Sequence, residues 1–192
     1  AALLLLSTPW LIRSCGGGVT ALFANSEYDK GDIVAQEDFK LDYPVKIDAV
    51  IEQINPVYFN LVSKIFQDIN KGVQLYATKQ NEANATYSLW LNNEDYYIDW
   101  SWNAEKIKRF IDAVGYPYDG AKAYLNRKTI NFVDVKVIKD VAVESRSRHI
   151  GKVIFIKDGL PVVVCKEGLI QLVDIRDDES SPVFVYFRSK FN

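Results

Sequence analysis

The sequence predicts an α/β chain that ends in a small antiparallel β-domain, a barrel or a sandwich. Apolar residues recur at helical spacing between Ile47 and Val114, and the runs Leu3–Leu6 and Val19–Ala24 before them have the composition of buried strands. After Ala121 the pattern changes to five short apolar runs, with Asp158-Gly159 and Glu167-Gly168 as turns. At 192 residues, 48% hydrophobic and 13% aromatic, the chain can bury one large core or two small ones. We place the domain boundary near Tyr118, giving segments 1–118 and 119–192.

Each element has a local cause. Leu3–Leu6 and Val19–Ala24 are expected to be parallel strands, yet the link between them, rich in Ser, Cys and Gly, is too short for the crossover of about a dozen residues that parallel strands need. The sequence also lacks methionine, so we expect segments of the encoded chain to be missing between Ile12 and Gly17. An uninterrupted translation there would make the two strands a hairpin. Ile47, Val50, Ile51 and Ile54 share one helical face. Asn55 suits an N-cap and Pro56 the first helical position, so a new helix is expected there, its core stripe formed by Tyr58, Leu61, Val62, Ile65, Phe66 and Ile69 and its end at Gly72. The polar and aromatic stretch Tyr76–Tyr97 reads as surface, with a loop over Gln80-Asn81-Glu82-Ala83-Asn84. A linker helix over about 103–114 starts at Asn103 and carries Ile107, Phe110, Ile111 and Val114, with Glu105 and Arg109 as a solvent-side pair. Phe132–Ile138, Val153–Ile156, Pro161–Cys165, Leu169–Ile175 and Val183–Phe187 are the expected final strands.

Composition narrows the function. With 23 basic and 25 acidic residues the formal charge is −2, so an anionic ligand must be held by local geometry rather than a bulk field. Cys15 and Cys165 are far apart and form no metal-spaced pair, which predicts reduced thiols in a cytoplasmic protein without a metal site. The apolar start is too short to span a bilayer and lacks a basic leader region, so no membrane association is expected. Asn84-Ala85-Thr86 fits a glycosylation sequon by accident in such a protein.

The stretch Glu27-Tyr28-Asp29-Lys30-Gly31-Asp32 puts a carboxylate into a glycine-broken loop between two apolar runs. By itself, Asp before Gly is most often a turn acid that caps a nearby amide. Followed by Ile98-Asp99-Trp100-Ser101 and Gly115-Tyr116-Pro117-Tyr118-Asp119-Gly120-Ala121, however, the loop resembles the folate-dependent formyltransferases, which act on methionyl-tRNA, glycinamide ribonucleotide and nucleotide-linked amino sugars. The resemblance implies a remnant of a Rossmann-like catalytic domain followed by a small antiparallel OB-like β-barrel. It implies 10-formyltetrahydrofolate as formyl donor, Asp29 as the catalytic carboxylate, and the backbone of Asn25, Ser26, Glu27, Tyr28 and Asp29 along the pterin edge. Asp32 is structural in this reading. Tyr87, Tyr116 and Tyr118 are substrate-binding candidates, able to stack on a nucleotide base.

A carboxylate suits this chemistry because an amine attacks a formyl group only when neutral, and a proton leaves it as the tetrahedral intermediate forms and collapses. The family also uses an Asn and a His. No Asn-x-His pair occurs here, and the single histidine, His149, lies in the β-rich half beside Arg146, Arg148 and Lys152. That basic cluster reads as a solvated loop, or as an anion contact. Trp100 and Trp102 read as packing residues where two domains meet. The acidic balance and the tyrosines favour a nucleotide-linked amino sugar as acceptor. Methionyl-tRNA is the alternative, and a non-catalytic binding module that kept the fold is a third reading. The linker helix and exposed aromatics are compatible with a homodimer.

Overall fold

The computed structural model describes residues 3–7, 16–85, 87 and 89–192, and the chain divides into two compact units, Ala1–Leu89 and Trp90–Asn192. The expected break between Ile12 and Gly17, Cys15 and the threonine of the sequon fall on or beside residues outside that description.

In the first unit, β1 (Leu3–Ser7), β2 (Gly16–Phe23) and β3 (Ile33–Lys40) form an antiparallel sheet in the order β1-β2-β3. The register pairs Leu3 with Phe23 and Ser7 with Val19 on one side, and Val19 with Glu37 and Ala21 with Ala35 on the other. The parallel pairing expected for the first two strands is thus replaced by an antiparallel one. An antiparallel pair needs no crossover, so the short interval between Ser7 and Gly16 suffices.

Helix α1 (Ile47–Asn70) runs through Pro56 as one element instead of restarting at Asn55. Proline inside a helix costs roughly 3 kcal/mol through its missing N–H and ring clash. Burial of Ile47, Val50 and Ile54 before it and of Leu61 and Ile65 after it, on the same face, offsets that cost. Ile54, Leu61 and Ile65 pack with Val19 and Ala21 of β2. The predicted stripe is only half core, because Val62, Phe66 and Ile69 are exposed. The apolar arc of the helix is wider than the line of contact with β2 and β3. The helix ends as expected, with Gly72 at φ 73° donating its N–H to the Ile69 carbonyl at 2.9 Å.

In the second unit, α2 (Ala104–Val114) starts at Asn103, whose side chain accepts the Lys106 N–H at 2.8 Å. Its solvent-side pair is not Glu105 with Arg109. Lys108 instead reaches both oxygens of the buried Asp112 at 2.6 and 2.7 Å, and Asp134 lies 3.8 Å from the same ammonium. The strands β4 (Ala121–Leu125), β5 (Lys128–Ile138), β6 (Val153–Lys157), β7 (Leu160–Val164) and β8 (Leu169–Arg176) form an antiparallel sheet in the order β4-β5-β8-β7-β6. Ile107, Ile111 and Val114 enter one core with Ala121, Phe132, Val135 and Ile170. That shared core is why the division falls between Leu89 and Trp90 rather than near Tyr118: the linker helix belongs to the β-rich unit.

The two-residue turn Asp158-Gly159 has both φ angles positive, 52° and 79°, as a tight hairpin requires. Asn126-Arg127 makes the same turn between β4 and β5 without glycine, at 52° and 68°, which is why β4 carries no strong sequence signal. Val183–Phe187 is not a strand; Phe184, Tyr186 and Phe187 are exposed around the buried Val185. No strand ladder joins the edges β4 and β6 among the described residues. The chain end spans them instead: Phe191 donates to Gly151 at 2.8 Å, and Asn192 exchanges backbone bonds with Tyr124 at 2.9 and 3.0 Å. Trp100 lies in the core of this unit, its ring stacked 5.4 Å from Phe191 and edge-on at 5.8 Å from Phe132. Gly151, at φ 79°, leaves room for that stack, since a Cβ there would meet the Phe191 carbonyl oxygen at 2.5 Å. No helix among the described residues is long and apolar enough to cross a membrane.

Candidate active site

The loop 24–32 joins β2 to β3 and is clamped at its base. Phe23 donates its N–H to the Asp32 carbonyl at 3.0 Å, and Ile33 and Thr78 exchange two backbone bonds of 2.8 Å. Gly31 is buried against the Phe23 carbonyl so closely that a Cβ would lie 1.6 Å from its oxygen. The side chain of Gln80, two residues after Thr78, donates to the carbonyls of Asp29 at 2.6 Å and Gly31 at 2.8 Å. Asp29 adopts the left-handed conformation, φ 60°, which side-chain-bearing residues avoid unless held.

The Asp29 carboxylate is exposed and has no hydrogen-bond or ion-pair partner among the described residues. It is therefore not the amide-capping turn acid that Asp before Gly usually is. Nor is it enclosed, as a carboxylate that buries an imidazole would be. The neighbouring cation is engaged elsewhere: the Lys30 ammonium lies 3.0 Å from Glu27, whose hydrogen bond and charge raise its pKa above the usual lysine value, with smaller help from Glu82 and Tyr87. Asn25 Oδ1 accepts the Glu27 N–H at 2.9 Å, so one of the backbone groups expected at the pterin edge is already committed. Those of Asn25, Ser26 and Tyr28 lie in an exposed stretch without a protein partner among the described residues.

The structure brings Asn25, Ser26, Glu27, Tyr28 and Asp29 into this single loop, with Tyr87, 84% exposed, within electrostatic reach of its Lys30. Tyr116 and Tyr118, 83% and 38% exposed, belong to the other unit. Gln80 is the residue the sequence does not mark. It looks like an ordinary loop glutamine, and only the Ile33–Thr78 pairing sets it beside Asp29.

His149 also lies in the second unit, after a 3-10 turn at Arg146–Arg148. Arg146 is neither a solvated loop charge nor a free anion contact. Its guanidinium donates to the carbonyls of Cys165 at 3.1 Å, Gly168 at 3.0 Å and Val141 at 2.8 Å, and to Asp140 at 2.5 Å. Asp140 in turn accepts the Gly168 N–H at 3.2 Å. Burial pushes the Asp140 carboxyl up, but the Arg146 hydrogen bond and charge and the N–H groups of Val141 and Gly168 outweigh it and hold the pKa below the usual value. Burial raises the Cys165 thiol to about 12, so it is inert as a nucleophile.

Arg146→Met is expected to destabilise the second unit by about 2–3 kcal/mol in urea unfolding, because the part-buried carbonyls lose a charged donor. The pH dependence follows from the lowered carboxyl. The stabilisation by ionised Asp140 is complete above its unfolded value of about 3.9 and is lost as the pH falls through the lower folded value. With Asp140 47% exposed, solvent screens much of it, so only a modest drop in melting temperature is expected below about pH 4, and less of one in the variant.

Residues 91–185 match the profile of the formyl transferase C-terminal domain. A methionyl-tRNA formyltransferase from Syntrophomonas wolfei is 26% identical over 159 residues, 83% of this chain and 49% of that protein. HypX from Aquifex aeolicus in complex with tetrahydrofolic acid superimposes with a TM-score of 0.62 at 19% identity, over 85% of this chain and 28% of that one. WlaRD, a sugar 3N-formyl transferase solved with dTDP and 5-N-formyl-THF, gives 0.57 at 15% identity, over 83% and 56%. At these identities the two structures speak for the fold. The chain spans about half the length or less of the curated relatives first matched. The second unit thus carries a formyl transferase C-terminal domain, and methionyl-tRNA formyltransferases are similar to this chain over most of its length.

Proposed function

We propose that this chain is part of an enzyme that moves a formyl group from 10-formyltetrahydrofolate to the amine of a nucleotide-linked amino sugar. The observation that carries this reading is the Asp29 carboxylate, left without a protein partner on a clamped loop, in a chain whose other unit is a formyltransferase domain. The donor supplies the formyl carbon and a nitrogen leaving group. Asp29 takes up the proton that the attacking amine loses, which keeps the amine nucleophilic and lets the tetrahedral intermediate collapse forward. Backbone groups of Asn25, Ser26 and Tyr28 hold the pterin edge, and Tyr87 of the same unit is the stacking candidate for the acceptor base.

The choice of acceptor rests on charge. The second unit carries 16 basic and 15 acidic side chains, a net charge of +1, whereas proteins that track an RNA backbone present extended basic surfaces. Methionyl-tRNA is the second reading, favoured by the sequence relatives, which are methionyl-tRNA formyltransferases. The full-length protein assayed for tetrahydrofolate release decides. Release is expected with a nucleotide amino sugar and not with charged initiator tRNA. The reverse result assigns the tRNA reaction, and release with neither leaves a non-catalytic binding module that kept the fold.

A further inference from the structure

We propose that Gln80 is the positioning residue of the Asp29 loop, its carboxamide holding the acid where the transferring proton is exchanged; this rests on the reading of Asp29 as the catalytic carboxylate. One side-chain nitrogen with two hydrogens meets two carbonyls, those of Asp29 at 2.6 Å and Gly31 at 2.8 Å. These carbonyls flank Lys30 and converge on one donor while the backbone at Asp29 is left-handed. Three features make the clamp stiff: the two-bond bridge between Ile33 and Thr78, the Phe23 N–H on the Asp32 carbonyl, and the bare Gly31 against the Phe23 carbonyl. The Lys30 ammonium is paired with Glu27, so it does not draw the Asp29 carboxylate aside.

The consequence is a separation of stability from placement. Water can replace the bond to the exposed Asp29 carbonyl, so only the part-buried Gly31 carbonyl loses a donor and the cost to the fold is small. The position of the carboxylate does depend on it, and misplacing a catalytic group by about 1 Å costs up to roughly a hundredfold in rate.

The test uses the full-length protein with Gln80→Leu, which keeps bulk and removes the donor. Amide hydrogen exchange over the loop 24–33 is expected to accelerate at least about tenfold while helix α1 stays unchanged. The melting temperature is expected to stay within about 3 °C. The kcat for tetrahydrofolate release is expected to fall at least about tenfold, with the acceptor KM within about twofold. In an Asp29→Asn background the same substitution adds no further loss, because a residue acting through the carboxylate has nothing left to position. Unchanged exchange in the loop overturns the clamp. Unchanged kcat, or an equal fall in both backgrounds, overturns positioning through Asp29. Wild-type turnover by Asp29→Asn alone defeats the catalytic reading instead, and the exchange measurement then still decides whether Gln80 holds the loop.

Discussion

Asp29→Asn is expected to lower formyl transfer by at least about a hundredfold, the usual contribution of a positioned general base, while the protein melts at its normal temperature. Both halves of that expectation come from the same geometry. The carboxylate makes no hydrogen bond or ion pair with described residues, so its loss removes nothing that holds the first unit together. Asparagine also tolerates the left-handed backbone that Asp29 adopts, at φ 60°, so the loop keeps its conformation. Exposed substitutions of this kind usually change stability by less than about 0.5 kcal/mol. Steady-state release of tetrahydrofolate with a saturating acceptor, together with a thermal melt, checks both. A variant with wild-type kcat removes Asp29 from the chemistry.

Gly31→Ala is expected to do the opposite, damaging fold and activity together. The added methyl would sit 1.6 Å from the Phe23 carbonyl oxygen and 2.7 Å from its carbon, with Leu22 Cδ1 at 3.1 Å. Two of those three atoms are backbone at the end of β2, where Phe23 is also tied to Asp32, so no side-chain rotation relieves the clash. Either the strand end or the loop must move, and a loop shift breaks the Gln80 bond to the Gly31 carbonyl. A cost of about 2–4 kcal/mol is expected in urea unfolding, as for a severe overpacking, with turnover falling even among molecules that stay folded. An alanine variant of normal stability would show that the loop does not rest on Phe23. Comparing the two substitutions separates what the acid does from what holds it.

Much of this could be read from the residues alone where causes are local. Asn103 before an apolar stripe, Gly115 after it and Asp158-Gly159 between apolar runs each act within a few positions, and all three end or turn the chain as expected. The acid-bearing loop was legible for the same reason, since apolar runs on either side and a glycine within it announce an excursion between strands. Pro56 shows where local rules stop. It looks like a helix start, yet a continuous line of burial from Ile47 to Ile65 carries one helix through it. Arg146 shows the same from the other side, since a charge in a basic run was expected to face water or an anion and instead ties the carbonyl of Val141 to those of Cys165 and Gly168 in the β7–β8 turn.

Residue patterns alone carry the resemblance to formyltransferases, the helical stretches, most of the β-rich half and the loop that holds Asp29. Folding in three dimensions sets the antiparallel pairing of β1 and β2, the outward half of the α1 stripe, the start of the second unit at Trp90 and the bonds from Gln80 to the acid loop. The reason is distance along the chain. Capping and turn preferences are set by neighbours, whereas Gln80 meets Asp29 across 51 residues, a contact that depends on how Thr78 aligns with Ile33 and that no local pattern encodes.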